Sequence, residues 1–160
     1  MYGPSLPSVS IGVISDTHGL LRPEAIQAFK GSEYIIHAGD VGEPSILEEL
    51  GRLAPTTAIR GNIDREPWAS ALPESTQITL AGHNICILHD LKRLHLDPKT
   101  ASISVVVSGH THKPSKQMKD GVLYLNPGSV GPRRFSLPIS MAKLKLHSQR
   151  VEAELIELDV

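Results

Sequence analysis

Aromatic side chains and cysteine are nearly missing from this 160-residue chain, which has one Trp, two Phe, three Tyr and one Cys. So few aromatics disfavour a surface that stacks nucleobases. Cys86 has no partner for an intrachain disulfide, which fits a reducing compartment. Neither sign of charge dominates: 16 Lys+Arg face 17 Asp+Glu, a formal net charge of -1 with the eight histidines neutral. That balance removes the bulk field that draws proteins to nucleic acid or anionic lipid. No apolar run nears the ~20 residues of a bilayer-spanning helix. Residues 1–8 lack the basic region and apolar core of a signal peptide and read as a flexible leader. The expectation is one cytoplasmic domain, residues 1–160, with no membrane association and no stable nucleic-acid binding. A chain of this size buries roughly 70% of its unfolded surface, so its core needs no staples.

The chain does carry an alternation of short apolar runs and helical patterns. Val9–Ile14 is a β-branched run that predicts a buried strand. Residues 23–30 read as a helix, with Pro23 suited to its first position and Ile26 and Phe29 on one face. A second strand, 34–36, runs into His37-Ala38-Gly39-Asp40, and a helix over 45–53 comes next with the stripe Ile46, Leu47, Leu50, Leu53. A third strand, 56–59, precedes Gly61-Asn62. This β-α-β-α-β order predicts parallel strands in an α/β layer. The second half turns to hairpins: 76–80 with 84–88, 116–119 with 122–125 around Asp120-Gly121, and 139–146 with 151–158. Residues 103–107 read as another buried strand. Two sheets packed together with helices outside are expected.

The chemistry lies at the strand ends. The first strand ends in Asp16-Thr17-His18, the second in Gly39-Asp40, the third in Gly61-Asn62-Ile63-Asp64. Later strands end in His89-Asp90 and Gly109-His110-Thr111-His112. Ligands of α/β sheets bind outside the carboxyl ends of strands. Turn chemistry explains Asp, Asn and Gly in loops, but not four histidines at successive strand ends. Asp16/His18 and His110/His112 are spaced i, i+2, which places both side chains of a pair on one side of an extended segment. Imidazole, carboxylate and amide donors without thiolate suit Mn²⁺, Fe²⁺, Co²⁺, Ni²⁺ or Zn²⁺. Asp16, His18, Asp40, Asn62, His89, His110 and His112 are too many donors for one tetrahedral ion. They suit two ions sharing a carboxylate, a recurring device for displacement at phosphorus.

Together these segments resemble the five ordered motifs of the calcineurin-like metallophosphoesterases, in particular their small single-domain phosphodiesterase branch of bacteria and archaea. Asn126-Pro127-Gly128-Ser129 followed by Pro132-Arg133 is similar to that branch's C-terminal signature. The resemblance runs from about Ile11 to Arg134. It implies an α/β fold, a four-layer αββα sandwich of two mixed sheets, with a dinuclear metal site at the carboxyl ends of the strands. Asp16, His18 and His112 would hold one ion, Asn62, His89 and His110 the other, and Asp40 would bridge them. Two divalent ions are implied, Mn²⁺ favoured over Ni²⁺, Zn²⁺, Fe²⁺ or Co²⁺, with a metal-bridging hydroxide attacking phosphorus in line. Asp40, Asn62 and His110 are the catalytic candidates, and Asp64 is expected behind the ligands rather than among them.

Two positions depart from the pattern. Many superfamily members carry His after the ligand Asn, where this chain has Ile63, which neither donates a proton nor carries charge. A preference for activated leaving groups is the expected consequence. Asp90 stands where Gly is frequent; it either orients His89 or occupies a turn. His83, His95 and His147 read as solvated or packed, and His37 as near the site or in a core hydrogen bond. Arg133 and Arg134 have the chemistry to meet a phosphate, Cys86 reads as a small buried residue, and Trp68 as either a substrate wall or loop packing.

The leading reading is a metal-dependent phosphodiesterase acting on small or nucleotide-type phosphodiesters. The alternatives are a phosphomonoesterase and a non-catalytic scaffold like the retromer subunit that uses the same small fold. Homo-oligomerisation is left open by the sequence.

Overall fold

The computed structural model describes residues 8–160, so residues 1–7 of the expected leader lie outside the described residues. The first sheet has the order β10-β9-β1-β2-β3. Its central strand β1, Val9–Ile14, pairs in parallel with β2, Tyr34–His37, which pairs in parallel with β3, Thr56–Ala58. The antiparallel hairpin of β9, Ser140–Leu146, and β10, Val151–Glu157, closes the other side of β1. The second sheet has the order β4-β5-β6-β8-β7. There β5, His83–Leu88, β6, Val105–Val107, and β8, Val122–Asn126, run parallel. Edge strands β4, Ser75–Leu80, and β7, Ser115–Lys119, pair antiparallel with β5 and β8.

The two sheets meet across one apolar core. Ile11, Val13 and Ile36 of the first sheet pack with Ile85, Ile87, Val105, Val107, Leu123 and Leu125 of the second. Strand alternation sends the intervening residues to the opposite faces. On the outer face of the first sheet Ile14, Ile35 and Met141 are covered by Ala25 and Phe29 at α1, Pro23–Ala28, and by Ile46 and Leu50 of α2, Pro44–Leu53. Both helices begin with Pro, whose missing N–H costs nothing at that position.

The outer layer over the second sheet is thinner. Cys86, Leu88, Val106 and Val122 are covered by Leu94, Leu96 and Ile103, from a segment with one short 3-10 turn at Leu91–Arg93. Asp90 accepts the Lys92 amide at 3.1 Å and Asp97 accepts that of Lys99 at 3.1 Å, so local turns replace a helical ladder here. That settles Asp90 as a turn residue. The sequence-predicted elements all form, with ends moved by one or two residues: the 23–30 helix stops at Ala28 and the strand expected from 103 starts at Val105. Among the described residues no helix is long and apolar enough to cross a membrane.

Because β1, β2 and β3 point the same way, as do β5, β6 and β8, their following loops gather at one edge of the sandwich. These loops carry every residue expected from the sequence to be a metal donor.

Candidate metal centre

The loops reach their positions through left-handed backbone. Nine non-glycine residues have positive φ among the described residues, and five are Asp16 (58°), His18 (45°), Asp40 (57°), His110 (73°) and His112 (63°). Such residues cost about 1–3 kcal/mol each and persist where surroundings over-determine them. The extended geometry expected for the two i, i+2 pairs is therefore corrected. His112 is buried against Asp16, whereas His110 is exposed and turns toward His89. Their side chains part, whereas those of Asp16 and His18, also left-handed, stay together, 3.7 Å apart at Oδ1 and Nε2.

The donors converge on two carboxylates. Asp16 Oδ1 lies 3.7 Å from His18 Nε2, 3.7 Å from His89 Nε2 and 3.4 Å from His112 Nε2. Asp40 Oδ2 lies 3.5 Å from His18 Nε2 and 3.2 Å from His89 Nε2. Two clusters result, Asp16–His18–His112 and Asp16–Asp40–His89, with Asp16 common to both. The Asn62 side-chain oxygen sits 3.1 Å from Asp40 Oδ2 and His89 Nε2, and a half-turn of its amide would let the nitrogen donate to the same atoms. His110 stands beside His89, ring centroids 5.2 Å apart and edge-on, but outside both clusters.

These atoms fit a cation. His89 Nδ1 donates to the Ala38 carbonyl at 2.7 Å, which leaves Nε2 of the neutral ring as a lone pair aimed at Asp16, Asp40 and Asn62. Asp16 Oδ1 and His18 Nε2, 3.7 Å apart, are buried with no hydrogen-bond partner. Buried acceptors facing one another are costly unless a positive charge sits between them. Without an ion, protons take that role. Burial lowers the pKa of His89, but its hydrogen bond to Asp40 and the charges of Asp16 and Asp40 outweigh burial and raise it. Burial pushes the Asp16 carboxyl up, yet His112, His18 and Ser15 hold it well below the usual carboxylate range. For Asp40 too, burial is outweighed, by His89 and the Ile63 amide, and its pKa falls.

Behind the donors lies a second set of polar residues. Asp64, buried and outside both clusters, accepts the amides of Val41 (3.0 Å), Gly42 (3.0 Å) and Gly61 (2.9 Å). It ties the loops after β2 and β3. Several supports were not singled out by sequence reasoning. Ser15 Oγ donates to Asp16 Oδ2 at 2.6 Å, and Ser129 Oγ to the Asp16 carbonyl at 3.1 Å. Asn126 donates to the Gly109 carbonyl at 3.0 Å. The Asn126-Pro127-Gly128-Ser129 signature was the available signal, since two of its polar side chains brace the loops after β1 and β6. Gly61 and Gly109 are fixed by close approach: a Cβ at Gly61 would run into Asp40, and one at Gly109 into Ser15 and Asp16.

The residues of undecided role sort themselves. Trp68 packs in the outer core beside α2's apolar face. His83 is buried, bonded to Ser104 and the His147 carbonyl. Arg133 and Arg134 are exposed, and Arg133 donates to the Leu137 carbonyl at 3.1 Å. Neither borders the cavity of about 760 Å³ that opens beside Asn62, His89 and His110. That cavity is walled by the loops 60–70 and 88–95, including Arg65, Arg93 and His95.

Comparison with known proteins agrees with this architecture. A probable metallophosphoesterase of Methanothermobacter thermautotrophicus is 35% identical over 158 residues, 91% of each chain. The solved structure of an archaeal phosphodiesterase superposes with TM-score 0.78 at 27% identity, over 94% of this chain and 100% of that one. Vacuolar protein sorting 29 of Cryptosporidium parvum shares the fold, with TM-score 0.75 and 18% identity over 96% and 99% of the two chains. The calcineurin-like phosphoesterase superfamily domain model matches residues 9–149. With that match over strands that bring Asp16, Asp40 and three histidines into clusters that could hold a metal ion, the chain belongs to the calcineurin-like phosphoesterase superfamily.

Proposed function

We propose that this protein is a phosphodiesterase dependent on two divalent ions, Mn²⁺ before Ni²⁺, Zn²⁺, Fe²⁺ or Co²⁺. The observation that carries the reading is the convergence of unpartnered acceptors: Asp16 Oδ1 and His18 Nε2 are buried without a hydrogen bond while imidazole and carboxylate atoms surround them. Asp16, His18 and His112 would hold one ion; Asn62 and His89, with His110 brought in by a side-chain rotation, would hold the other. Asp40 faces a histidine of each group and is the proposed bridge. When bound, the ions supply Lewis acidity and a water deprotonated near neutral pH.

The chain's own residues account for the rest. The Ala38 carbonyl fixes the His89 tautomer so that Nε2 faces inward. The Ile63 amide donates to Asp40 Oδ1 at 3.1 Å, which orients Oδ2 toward the histidines. His110, exposed beside the cavity, would meet the phosphoryl oxygens. The cavity beside Asn62 and His110 accommodates the second arm of a diester, a small or nucleotide-type group.

The test is hydrolysis of bis(p-nitrophenyl) phosphate and p-nitrophenyl phosphate by metal-stripped protein resupplied with Mn²⁺, Ni²⁺, Zn²⁺ or Mg²⁺. Diester cleavage restored by metal and abolished in Asp40→Ala is expected. Faster monoester cleavage would make it a phosphomonoesterase. Two bound ions without turnover of any ester would turn the reading to a scaffold.

A further inference from the structure

We infer that His37 is a positioning residue: through Thr17 and Gly39 it fixes the loop carrying Asp16 and His18 against the loop carrying Asp40, and so sets the spacing between the two groups of metal donors. The inference rests on the proposed metal centre and assigns a role to a residue outside both donor clusters.

His37 ends β2 and is fully buried. Its Nε2 lies 2.9 Å from Thr17 Oγ1, and its Nδ1 accepts the Gly39 amide at 3.1 Å. Proton counting fixes the ring. Thr17 has one hydroxyl proton and donates it to the Val41 carbonyl at 2.7 Å. Thr17 Oγ1 can then only accept from His37, so Nε2 carries the ring's proton and Nδ1 is bare. A neutral imidazole in one tautomer satisfies both ends. Leucine or phenylalanine would fill the same space without a buried polar group, so packing alone gives no reason for histidine here.

Each partner is a neighbour of a donor. Thr17 stands between Asp16 and His18, and Gly39 precedes Asp40; all three donors are left-handed. The two loops are already laddered by Asp16 N to Gly39 O, His18 N to Asp40 O and Gly19 N to Val41 O, each 2.9 Å. Those bonds attach the loops but leave the Thr17 side chain free to turn. The chain His37–Thr17–Val41 ties that side chain to the second loop. It thereby holds the peptides on either side of Thr17, and with them Asp16 Oδ1 and His18 Nε2, at their distance from Asp40 Oδ2.

The experiment is Mn²⁺ binding by equilibrium dialysis, with paramagnetic resonance of the Mn²⁺-loaded protein, on wild type, Thr17→Val, Thr17→Ser, His37→Phe and the Thr17→Val/His37→Phe pair. Thr17→Val removes the hydroxyl at constant shape. We expect its affinity for one of the ions to fall roughly 10–100-fold, and the signature of a coupled Mn²⁺ pair to give way to that of isolated ions. Thr17→Ser restores both, and the double variant is no weaker than the weaker single, because both changes break one link. Thr17→Val binding a coupled pair as tightly as wild type overturns the inference, and so does Thr17→Ser failing as badly as Thr17→Val. If His37→Phe does not fold, the two Thr17 variants still decide. Wild type that binds no Mn²⁺ overturns the metal-centre reading itself, a different failure that takes this inference with it.

Discussion

Ile63 occupies the rim of the site with 42% of its surface exposed, its amide spent on Asp40 Oδ1. Its side chain can neither protonate a departing oxygen nor balance charge on it. A lost general acid is worth about 10²–10⁴-fold in rate, least where the leaving group departs as a stable anion. Ile63→His should therefore raise kcat/KM for alkyl diesters by about 10-fold or more while changing nitrophenyl diesters little. The slope of log kcat/KM against leaving-group pKa reads this directly; a slope the variant leaves unaltered sinks the account. Asp64 makes the opposite case, a residue whose importance is structural. Asp64→Ala strands three amide donors and should cost about 3–5 kcal/mol in urea unfolding. Asp64→Asn keeps one acceptor oxygen and should cost less, whereas equal losses would show that the acceptor bonds are not the cause. At this scale the sequence marks the candidate donors because four histidines at successive strand ends exceed what turn chemistry explains. It marks Asn126 and Ser129 only as parts of a signature and hides their partners, the Gly109 and Asp16 carbonyls, which lie far away in the chain.

Strands and loops behave differently as carriers of information. The apolar runs predict the central strands, since a strand buried on both faces has to be apolar throughout: Ile85 and Ile87 enter the core between the sheets while Cys86 enters the outer one. The i, i+2 spacing misleads about the loops because it assumes extended backbone where Asp16, His18, His110 and His112 are left-handed. Asp and His are among the non-glycine residues that adopt that conformation most readily, but tertiary contacts decide which of them do. Those contacts leave no room at Gly109, where an added Cβ meets Ser15 and Asp16. Gly109→Ala must then push the loop after β6 away from the loop after β1, and with it His112 from Asp16 Oδ1. A stability loss of about 1–3 kcal/mol should accompany loss of Mn²⁺ binding at the Asp16–His18–His112 cluster. Thermal unfolding with and without Mn²⁺ checks it: wild type gains stability from the ion, and the variant should gain much less. A variant stabilised by Mn²⁺ as fully as wild type would show that the loops have slack.

For the molecule as a whole, the buried titrating groups predict how metal-free protein responds to pH. Burial lowers the His37 pKa from 6.5 to about 4. Between those values the unfolded chain binds a proton that the folded chain refuses, so stability rises with pH across that window, by about 3 kcal/mol. The depressed carboxyls of Asp16 and Asp40 contribute below it: their stabilisation is complete above the ordinary 3.8 and is lost only as pH falls further. His89, raised above 6.5, contributes on the other side. Its stabilisation is complete below 6.5 and is lost as pH climbs through its folded value. Urea midpoints of chelator-treated protein should therefore climb from about pH 4 to about 6.5 and decline above that. His37→Phe removes the titrating ring and should flatten the climb while leaving the decline. Mn²⁺ bound there would take the place of the proton between His89 and the carboxylates, so metal-loaded protein should lose the decline and keep the climb. The two arms thus report separately on His37 and on His89. A profile in which His37→Phe and Mn²⁺ alter the same arm would mean that the two histidines are one coupled group.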